Sequence, residues 1–189
     1  MDFTSRSIVL KNGMTLTLRA PRIEDAQTLV EYLDITAGES PYLTREPGEK
    51  KMSADGKAEV EAEAAFIGRI LESPSECMIL AELGGVFAGN CQISFMTRRK
   101  TAHRASLAIA LYRKFWNMGI GTAMMEAMLD LARERGVRQA ELAYIEGNER
   151  GKALYEKMGF SECGRIPDAF RFSDGSCHDE IFMIKYMHE

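Results

Sequence analysis

The feature that most limits the fold is a strand, turn, helix and strand unit over residues 104–145. Residues 104–112 (RASLAIALY) carry small or apolar side chains on both faces, which is typical of a central strand covered on both sides. From Gly119 to Leu131 the apolar residues recur with helical spacing, and residues 139–145 return to a strand pattern. A helix between two neighbouring strands favours parallel pairing through a right-handed crossover.

The rest of the chain also alternates between strand and helix patterns, which predicts an α/β fold on a mixed sheet. Gly84 and Gly85 favour a tight hairpin turn between two strands, because glycine reaches positive φ without strain. The first helix is predicted from Pro21 to the residue before Gly38. The remaining strands are predicted at 14–19, 77–83, 86–95, 160–165 and 178–187, and the remaining helices at 57–71 and 148–158.

The charge and hydropathy patterns exclude several functions. The 189 residues hold 24 Lys and Arg against 28 Asp and Glu, a net charge of −4, so the basic surface that binds nucleic acid is absent. No apolar run approaches the ~18 residues of a membrane span, and the N-terminus lacks a signal-peptide pattern. We therefore expect one soluble, cytoplasmic domain over residues 1–189, without a nucleic-acid or membrane partner.

Cysteine and histidine give no sign of a disulfide framework or a metal site. The four cysteines form no CxxC pair and the three histidines lie far apart. We expect the cysteines to be buried thiols and the protein to bind no metal.

The loop predicted at 38–56 is longer than most connections in a compact domain, and such loops are usually functional or disordered.

A glycine turn follows the central strand at 116–122 (WNMGIGT). Glycines at a strand-to-helix junction bring backbone N–H groups and the positive end of a helix dipole against an anion such as a phosphate. The alternative is that Gly119 and Gly121 only permit close packing of helix and strand. Met124 breaks the dinucleotide fingerprint and no GK[ST] motif is present, so a pyrophosphate held by backbone groups is favoured over a P-loop.

A second segment, 148–160 (NERGKALYEKMGF), lies on the following helix. Tyr155 comes seven residues after Asn148, so the two lie two turns apart on one side of the helix. Taken alone, Tyr155 is an amphipathic ring at a helix–sheet boundary, and Asn148 is a helix N-cap.

Together, the two segments resemble the GNAT superfamily of acyl-CoA-dependent N-acetyltransferases. The first resembles its pyrophosphate loop, (Arg/Gln)-x-x-Gly-x-(Gly/Ala), and the second its Asn-x-(Arg)-Ala-x-x-Leu-Tyr-x-Lys-x-Gly-Phe pattern, within a similarity that spans residues 79–187. Two departures are Trp116, in the place of Arg or Gln, and Gly151, in the place of Ala. Neither removes a backbone donor, although Gly151 should weaken the helix by up to ~1 kcal/mol.

The resemblance implies a central, mostly antiparallel sheet of about seven strands, with one parallel pair splayed around the cofactor and about four flanking helices. It assigns residues 20–73 to the acceptor side, 77–160 to the cofactor-binding core and 160–187 to a C-terminal hairpin. The co-substrate is acetyl-CoA, without a metal. The residues implied to bind it are Ile109, Ala110, Leu111, Trp116, Asn117, Met118, Gly119, Ile120, Gly121, Thr122, Asn148 and Tyr155.

The resemblance also implies the reaction, in which an acetyl group moves from the thioester directly to a primary amine of a small molecule or a protein. Tyr155 would donate a proton to the departing thiolate, and the Leu111 N–H would stabilise the oxyanion. The base is left open between Glu82, Glu39 in the long loop and a water chain; Glu39 is also the candidate for acceptor binding. A homodimer is compatible with the sequence.

Acidic residues in the acceptor-side segments predict a lining that attracts a cationic amine. They are Glu39, Glu46, Glu49, Asp168, Asp174 and Asp179. Two other functions stay open at this stage. One is an acyl-CoA-binding sensor of the same fold without acceptor chemistry, and the other is a nucleotide-binding regulator that uses Gly119 and Gly121.

Overall fold

The computed structural model describes residues 3–49, 53 and 55–187, and within them the chain forms eight strands and four α-helices. The strands are β1 Arg6–Val9, β2 Thr15–Arg19, β3 Glu76–Leu83, β4 Val86–Phe95, β5 Arg104–Leu111, β6 Gln139–Ile145, β7 Ser161–Arg171 and β8 Cys177–Tyr186. The helices are α1 Ala26–Glu39, α2 Lys57–Glu72, α3 Ile120–Glu134 and α4 Glu149–Lys157. Short 3₁₀ turns precede α1 and α3, at Ile23–Asp25 and Arg113–Phe115.

All eight strands belong to one sheet in the order β1-β2-β3-β4-β5-β6-β8-β7. Every neighbouring pair is antiparallel except β5 and β6, which are parallel as the helix between them predicts. That parallel pairing covers only Arg104–Ser106 against Gln139–Glu141, at the start of both strands. Beyond Ser106 the two strands diverge, so the sheet opens into a V.

The two faces of the sheet carry separate apolar clusters. On one face, α3 buries the helical stripe expected from its sequence, namely Ile120, Ala123, Met124, Ala127, Met128 and Leu131. On the other face, α1 and α2 pack on β3 through a cluster that includes Leu29, Tyr32, Ile67 and Leu80. We call these the α3 face and the α1/α2 face. The clusters hold the strands around the V in place from both sides.

The sequence-based prediction holds for most elements and differs from the structure at several places. Strand β7 continues to Arg171, whereas the predicted strand ended at residue 165. Strand β1 was not predicted, because it is a four-residue edge strand with half of its side chains exposed. Helix α1 continues through Gly38, where glycine was expected to end it. Cys77 and Cys91 are buried as expected, but Cys163 and Cys177 are exposed thiols on the C-terminal hairpin.

The predicted turns between strands agree with the structure. Gly84 and Gly85 both adopt positive φ, 57° and 81°, and close the β3–β4 hairpin. The β7–β8 hairpin turns at Asp174 and Gly175, where Gly175 has φ of 86°. Within the described residues, no helix is both long and apolar enough to cross a membrane.

Candidate active site

The inner edge of β5 faces the open V. In an antiparallel pair, successive residues direct their peptide groups alternately towards and away from the partner. The Tyr112 N–H donates to the Ala88 carbonyl of β4 at 3.0 Å, so the even-numbered residues at this end of β5 direct their peptide groups towards β4. Ile109 and Leu111 therefore direct their peptide groups towards β6, which no longer pairs there. Ala110 presents its methyl group to the α1/α2 face and its peptide groups to β4.

Strand β4 approaches this edge closely at Gly89, which pairs with Leu111. A Cβ atom on Gly89 would meet the Ala110 carbonyl oxygen and would lie 2.8 Å from Leu111 Cδ2 and 2.9 Å from Leu111 Cα. A shift in β4 register between Ala81 and Glu82 of β3 accompanies this approach. Only glycine fits here, so residue 89 fixes the position of the peptide groups that line the V.

The loop from Trp116 to Gly119 joins β5 to α3 in a conformation suited to anion binding. Asn117 and Gly119 adopt positive φ, 63° and 88°, and Gly119 is the N-cap of α3. The first-turn N–H groups of a helix have no partner within it, and alternation of right- and left-handed residues turns successive N–H groups inward. The predicted residues Met118, Ile120 and Thr122 are thus part of one loop and helix start.

Trp116 stands where the family pattern has Arg or Gln, and its side chain has a specific contact. Its indole Nε1 donates to the Leu111 carbonyl at 3.1 Å, which ties the anion-binding loop to the end of β5. Because that carbonyl is engaged, the Leu111 N–H is the polar group that this residue directs into the V. The departure from the family pattern therefore couples the loop to the strand.

Three cationic side chains surround the loop, and the sequence analysis did not identify them. The guanidinium carbons of Arg113 and Arg150 lie 5.5 Å and 4.6 Å from the Trp116 ring centroid. Arg150 also donates to Asn117 Oδ1 at 2.5 Å, and Lys157 Nζ donates to Thr122 Oγ1 at 3.0 Å. A phosphate at the loop would thus meet positive charge as well as backbone N–H groups.

Gly119 and Gly121 have different structural reasons to be glycine. Gly119 needs positive φ, and a Cβ there would have room, with Leu10 Cδ2 3.9 Å away. Gly121 lies within α3 and does not need positive φ, but a Cβ atom there would lie 3.2 Å from Leu154 Cδ2 and 3.6 Å from Leu111 Cδ1. The packing alternative thus applies to Gly121, whereas Gly119 shapes the loop itself.

Helix α4 begins opposite the loop. Asn148 is its N-cap, and Asn148 Oδ1 accepts from the Gly151 N–H at 3.0 Å. A Cβ on residue 151 would lie 2.7 Å from Asn148 Nδ2, so glycine lets the cap side chain fold over the helix start. Glycine at position 151 has a lower helix propensity than the family's alanine, but it lets the Asn148 cap lie closer to the helix, which offsets part of that cost.

Tyr155 is buried on α4, with 8% of its surface exposed. Its ring centroid lies 6.0 Å from that of Tyr144 on β6, in the same α3-face cluster as Ile109 and Leu111. Burial, with a smaller effect of Tyr144, raises the pKa of Tyr155 to about 12. The phenol therefore keeps its proton throughout the neutral range.

The two predicted base candidates do not have free carboxylates. Glu82 accepts from Arg19 Nε at 2.8 Å, and Arg19 also pairs with Asp25 at 2.7 Å, which ties β2 and β3 to the start of α1. Glu82 also lies two strands from β5, roughly 10 Å away at the usual strand spacing. Glu82 thus forms a structural ion pair with Arg19, and its role as the base stays a prediction.

Glu39 lies in the last turn of α1 and not in the loop that follows. Its carboxylate accepts from the Arg113 N–H at 2.7 Å, just beyond the end of β5. The helix reaches this point because it continues through Gly38. A Cβ atom added at Gly38 would lie 4.0 Å from Pro47 of the following loop. Glu39 is thus close to the V but its carboxylate already fixes the chain that enters the anion-binding loop.

The predicted acidic lining is largely engaged in local contacts. Glu49 Oε2 accepts from the Glu46 N–H, and Asp174 Oδ1 accepts from Ser176. Asp179 pairs with Arg165 at 3.0 Å and also accepts from the Asp168 N–H. Of these contacts only the one between Asp179 and Arg165 is an ion pair, and the others leave the negative charge in place, so an acidic lining of the acceptor cleft stays a prediction.

Aromatic side chains connect the acceptor-side segments instead. Tyr42, from the loop after α1, lies over Gly147, where a Cβ would be 3.1 Å from the Tyr42 hydroxyl. The Tyr42 ring centroid is 6.3 Å from that of Phe172, which stacks on His178 at 4.1 Å. We call Tyr42, Phe172 and His178 the aromatic wall. No group of His, Cys, Asp or Glu that could hold a metal is found among the described residues.

The combination of a V-shaped opening beside β5, an anion-binding loop and a buried tyrosine on the next helix agrees with the family comparison. The model of the acetyltransferase (GNAT) family matches residues 41–160, more than half of the 189-residue chain. The chain therefore belongs to the GNAT acetyltransferase family.

Solved structures show the same fold. An acetyltransferase of the GNAT family from Streptococcus pneumoniae superposes with a TM-score of 0.80 at 24% identity, covering 91% of this chain and 99% of that one. YncA, a putative acetyltransferase from Salmonella typhimurium solved with acetyl-CoA, gives a TM-score of 0.73 at 16% identity, covering 92% and 95% of the two chains.

A curated relative is similar over a shorter stretch. N-alpha-acetyltransferase 30 of Schizosaccharomyces pombe is 30% identical over 82 residues, which is 39% of this chain. The match spans 55% of that relative.

Proposed function

We propose that this protein transfers the acetyl group of acetyl-CoA to the nitrogen of a primary amine in the cytoplasm. The observation that carries the proposal is the unpaired inner edge of β5, which runs directly into the loop at the start of α3. An extended, amide-bearing chain that ends in a pyrophosphate matches these two features in the same order. Family membership and the acetyl-CoA complex of YncA support this choice of co-substrate.

The residues present fit acetyl-CoA. The peptide groups of Ile109, which face the V, would bind the pantetheine arm as an added strand would. The N–H groups after Gly119, with Arg113 and Arg150 beside them, would hold the pyrophosphate. When bound, acetyl-CoA supplies an activated acetyl thioester next to the end of β5.

The chain's own groups then serve the transfer. The Leu111 N–H is the donor available for the negative charge that develops on the acetyl oxygen. Tyr155 holds a proton that it can give to a thiolate, because a thiol titrates near ~8.5 and the phenol titrates well above that. With Glu82 and Glu39 engaged, neither is the base of this proposal.

The acceptor is a primary amine of a small molecule or of a protein. The name of the Schizosaccharomyces pombe relative favours a protein amino terminus as one acceptor to be tested. The second candidate function, an acyl-CoA sensor, predicts acetyl-CoA binding without amine-dependent turnover. Release of free CoA thiol, measured across a panel of amines, separates the two.

We expect acetyl-CoA to stabilise the protein more than other nucleotides do. A ligand present at 100 times its Kd stabilises the folded state by about 2.7 kcal/mol, which for a chain of this size raises Tm by roughly 5–10 °C. Thermal unfolding with acetyl-CoA, ATP or NAD at equal concentration measures this. A larger shift with ATP or NAD would favour the nucleotide-binding regulator.

We expect Gly119→Ala to weaken acetyl-CoA binding by about tenfold, because alanine at positive φ costs ~1–2 kcal/mol and the loop can avoid that cost by changing shape. Gly136→Ala is the matched control. Gly136 also has positive φ, at 68°, lies beyond the other end of α3 and has nothing within 4 Å of an ideal Cβ. Calorimetric Kd values for both variants test this; equal Kd values would place the anion elsewhere.

A further inference from the structure

Trp116 lies where the two parts of the candidate site meet, between the inner edge of β5 and the loop at the start of α3. It is the only tryptophan among the 189 residues, and its side chain is half-buried. The indole N–H contacts the end of β5, whereas the ring contacts two arginine side chains. One side chain therefore joins the region that would hold the thioester to the region that would hold the phosphates.

The indole N–H fixes the peptide group at the end of β5. Indole Nε1 donates to the Leu111 carbonyl at 3.1 Å, and the N–H of the same peptide group, on Tyr112, donates to the Ala88 carbonyl at 3.0 Å. Because a peptide group is planar, hydrogen bonds at both of its ends fix its orientation, and with it the torsion about the Leu111 Cα–C bond. Without the indole donor, the Leu111 carbonyl would direct free lone pairs into the V, where negative charge develops on the acetyl oxygen.

The ring of Trp116 holds two cations beside the anion-binding loop. The guanidinium carbons of Arg113 and Arg150 lie 5.5 Å and 4.6 Å from the ring centroid. Both side chains are exposed, and neither forms an ion pair with a carboxylate in the part of the chain that the structure describes. A guanidinium over an aromatic face keeps its charge available for an anion. The ring therefore orders two cations before a phosphate arrives, which lowers the entropy cost of binding.

The two contacts of Trp116 can be separated by substitution. Phenylalanine keeps an aromatic face and loses the N–H donor, whereas glutamine keeps a neutral N–H donor at a similar reach and loses the aromatic face. The family pattern has Arg or Gln at this position, and both carry N–H donors without an aromatic ring. The contact with β5 is thus available to the family's residue types, but the contact with the arginines depends on the indole ring.

We propose that Trp116 is a positioning residue with two separate effects on acetyl-CoA. Its N–H orients Leu111 towards the acetyl carbonyl, and its ring orients Arg113 and Arg150 towards the phosphates. This inference rests on the proposed acetyltransferase function. The strand contact contributes to kcat, because it serves the charge that develops during transfer, and the ring contact contributes to affinity for the nucleotide half of the co-substrate.

The test compares wild type with Trp116→Phe and Trp116→Gln by two measurements that need no acceptor. Infrared spectroscopy of acetyl-CoA labelled with ¹³C at the acetyl carbonyl reports the hydrogen bond to the thioester oxygen, and calorimetry gives the Kd. For wild type we expect the bound carbonyl band at a lower frequency than that of free acetyl-CoA. Trp116→Phe should lose at least about half of that shift and keep Kd within about threefold. Trp116→Gln should keep the shift and raise Kd about tenfold.

A second variant and a truncated ligand test the role of the ring independently. Arg150→Gln removes one of the two cations and leaves the indole in place, so it should raise the Kd for acetyl-CoA several-fold and keep the infrared shift. S-acetylpantetheine lacks the nucleotide half. Its Kd values for Trp116→Gln and wild type should therefore agree within about twofold.

Steady-state kinetics give the corresponding division between kcat and KM. The acceptors are 2-phenylethylamine, spermidine and trialanine amide, and the one that wild type acetylates fastest is used for the variants. Trp116→Phe should lower kcat about tenfold and keep the KM for acetyl-CoA within about threefold. Trp116→Gln should keep kcat within about threefold and raise that KM about tenfold.

Four results would each overturn the inference. They are a wild-type carbonyl band at the free frequency, an unchanged band shift in Trp116→Phe, an unchanged Kd in Trp116→Gln, and loss of the shift in both variants, which would indicate that the ring only packs. The readouts also separate the inference from the proposed function. If no amine is acetylated but the shift and Kd change as described, the function fails and the positioning role stands. If amines are acetylated and Trp116→Phe matches wild type, the function stands and the inference fails.

Discussion

Tyr155→Phe should lower kcat for a good amine acceptor by about 10²-fold, within the range that one proton-transfer group contributes. The variant keeps the buried ring and loses only the hydroxyl that holds the proton. Because burial raises the pKa of Tyr155 to about 12, wild type should show no loss of kcat from deprotonation of this residue up to about pH 10. Steady-state kinetics with saturating acetyl-CoA, at several pH values, measure both.

Tyr144→Phe is the matched control for this prediction. Tyr144 lies 6.0 Å from Tyr155, ring centroid to ring centroid, and is packed against the same cluster. Its variant should keep kcat within about threefold of wild type, and both variants should keep their affinity for acetyl-CoA. An equal loss in the two variants would indicate disturbed packing, and unchanged kcat in Tyr155→Phe would remove Tyr155 from the mechanism.

Gly89→Ala should destabilise the protein and impair turnover together. The new methyl group would lie 2.8 Å from Leu111 Cδ2 and would meet the backbone of Ala110, so β4 and β5 must move apart. Overpacking of this kind costs about 1–3 kcal/mol, which for a chain of this size lowers Tm by roughly 3–10 °C. Since Leu111 presents its N–H to the V, kcat/KM should fall as well. Thermal unfolding and kinetics below the transition measure the two effects.

Gly164→Ala is the control for a glycine in a strand. Gly164 lies in β7, and an ideal Cβ there has nothing within 4 Å. The substitution should leave Tm within about 2 °C of wild type or raise it, because alanine reduces the entropy of the unfolded chain. A similar Tm loss in both variants would show that the close approach at Gly89 does not account for its cost.

The fold was predictable where periodicity is long and uninterrupted. The six apolar residues expected on one face of α3 are all buried, and residues 139–145 form β6 as expected. Prediction failed where tertiary contacts override a local signal. Helix α1 continues through Gly38, where Pro47 of the following loop lies close to it, and β1 is an edge strand of four residues, too short to show a periodic pattern.

The site was predictable as far as backbone geometry and family motifs determine it. The loop, the end of β5 and α4 all lie where the two sequence segments indicated. The partners of charged side chains could not be predicted, because they come from distant parts of the chain. Glu82 meets Arg19, 63 residues away, and Glu39 meets the Arg113 N–H, 74 residues away. The cations beside Trp116 were missed for a different reason, because the sequence does not show that Arg113, three residues earlier, and Arg150, in segment 148–160, direct their side chains to the indole ring.

The most direct test of the central claim is amine-dependent release of CoA thiol from acetyl-CoA by the wild-type protein, followed by mass spectrometry of the amine. Acetyl transfer to nitrogen predicts saturable release of thiol with at least one primary amine and an equal amount of N-acetylated product. Tight binding of acetyl-CoA with no amine-dependent release across free amines and peptide amino termini would contradict it and would leave the acyl-CoA sensor as the function.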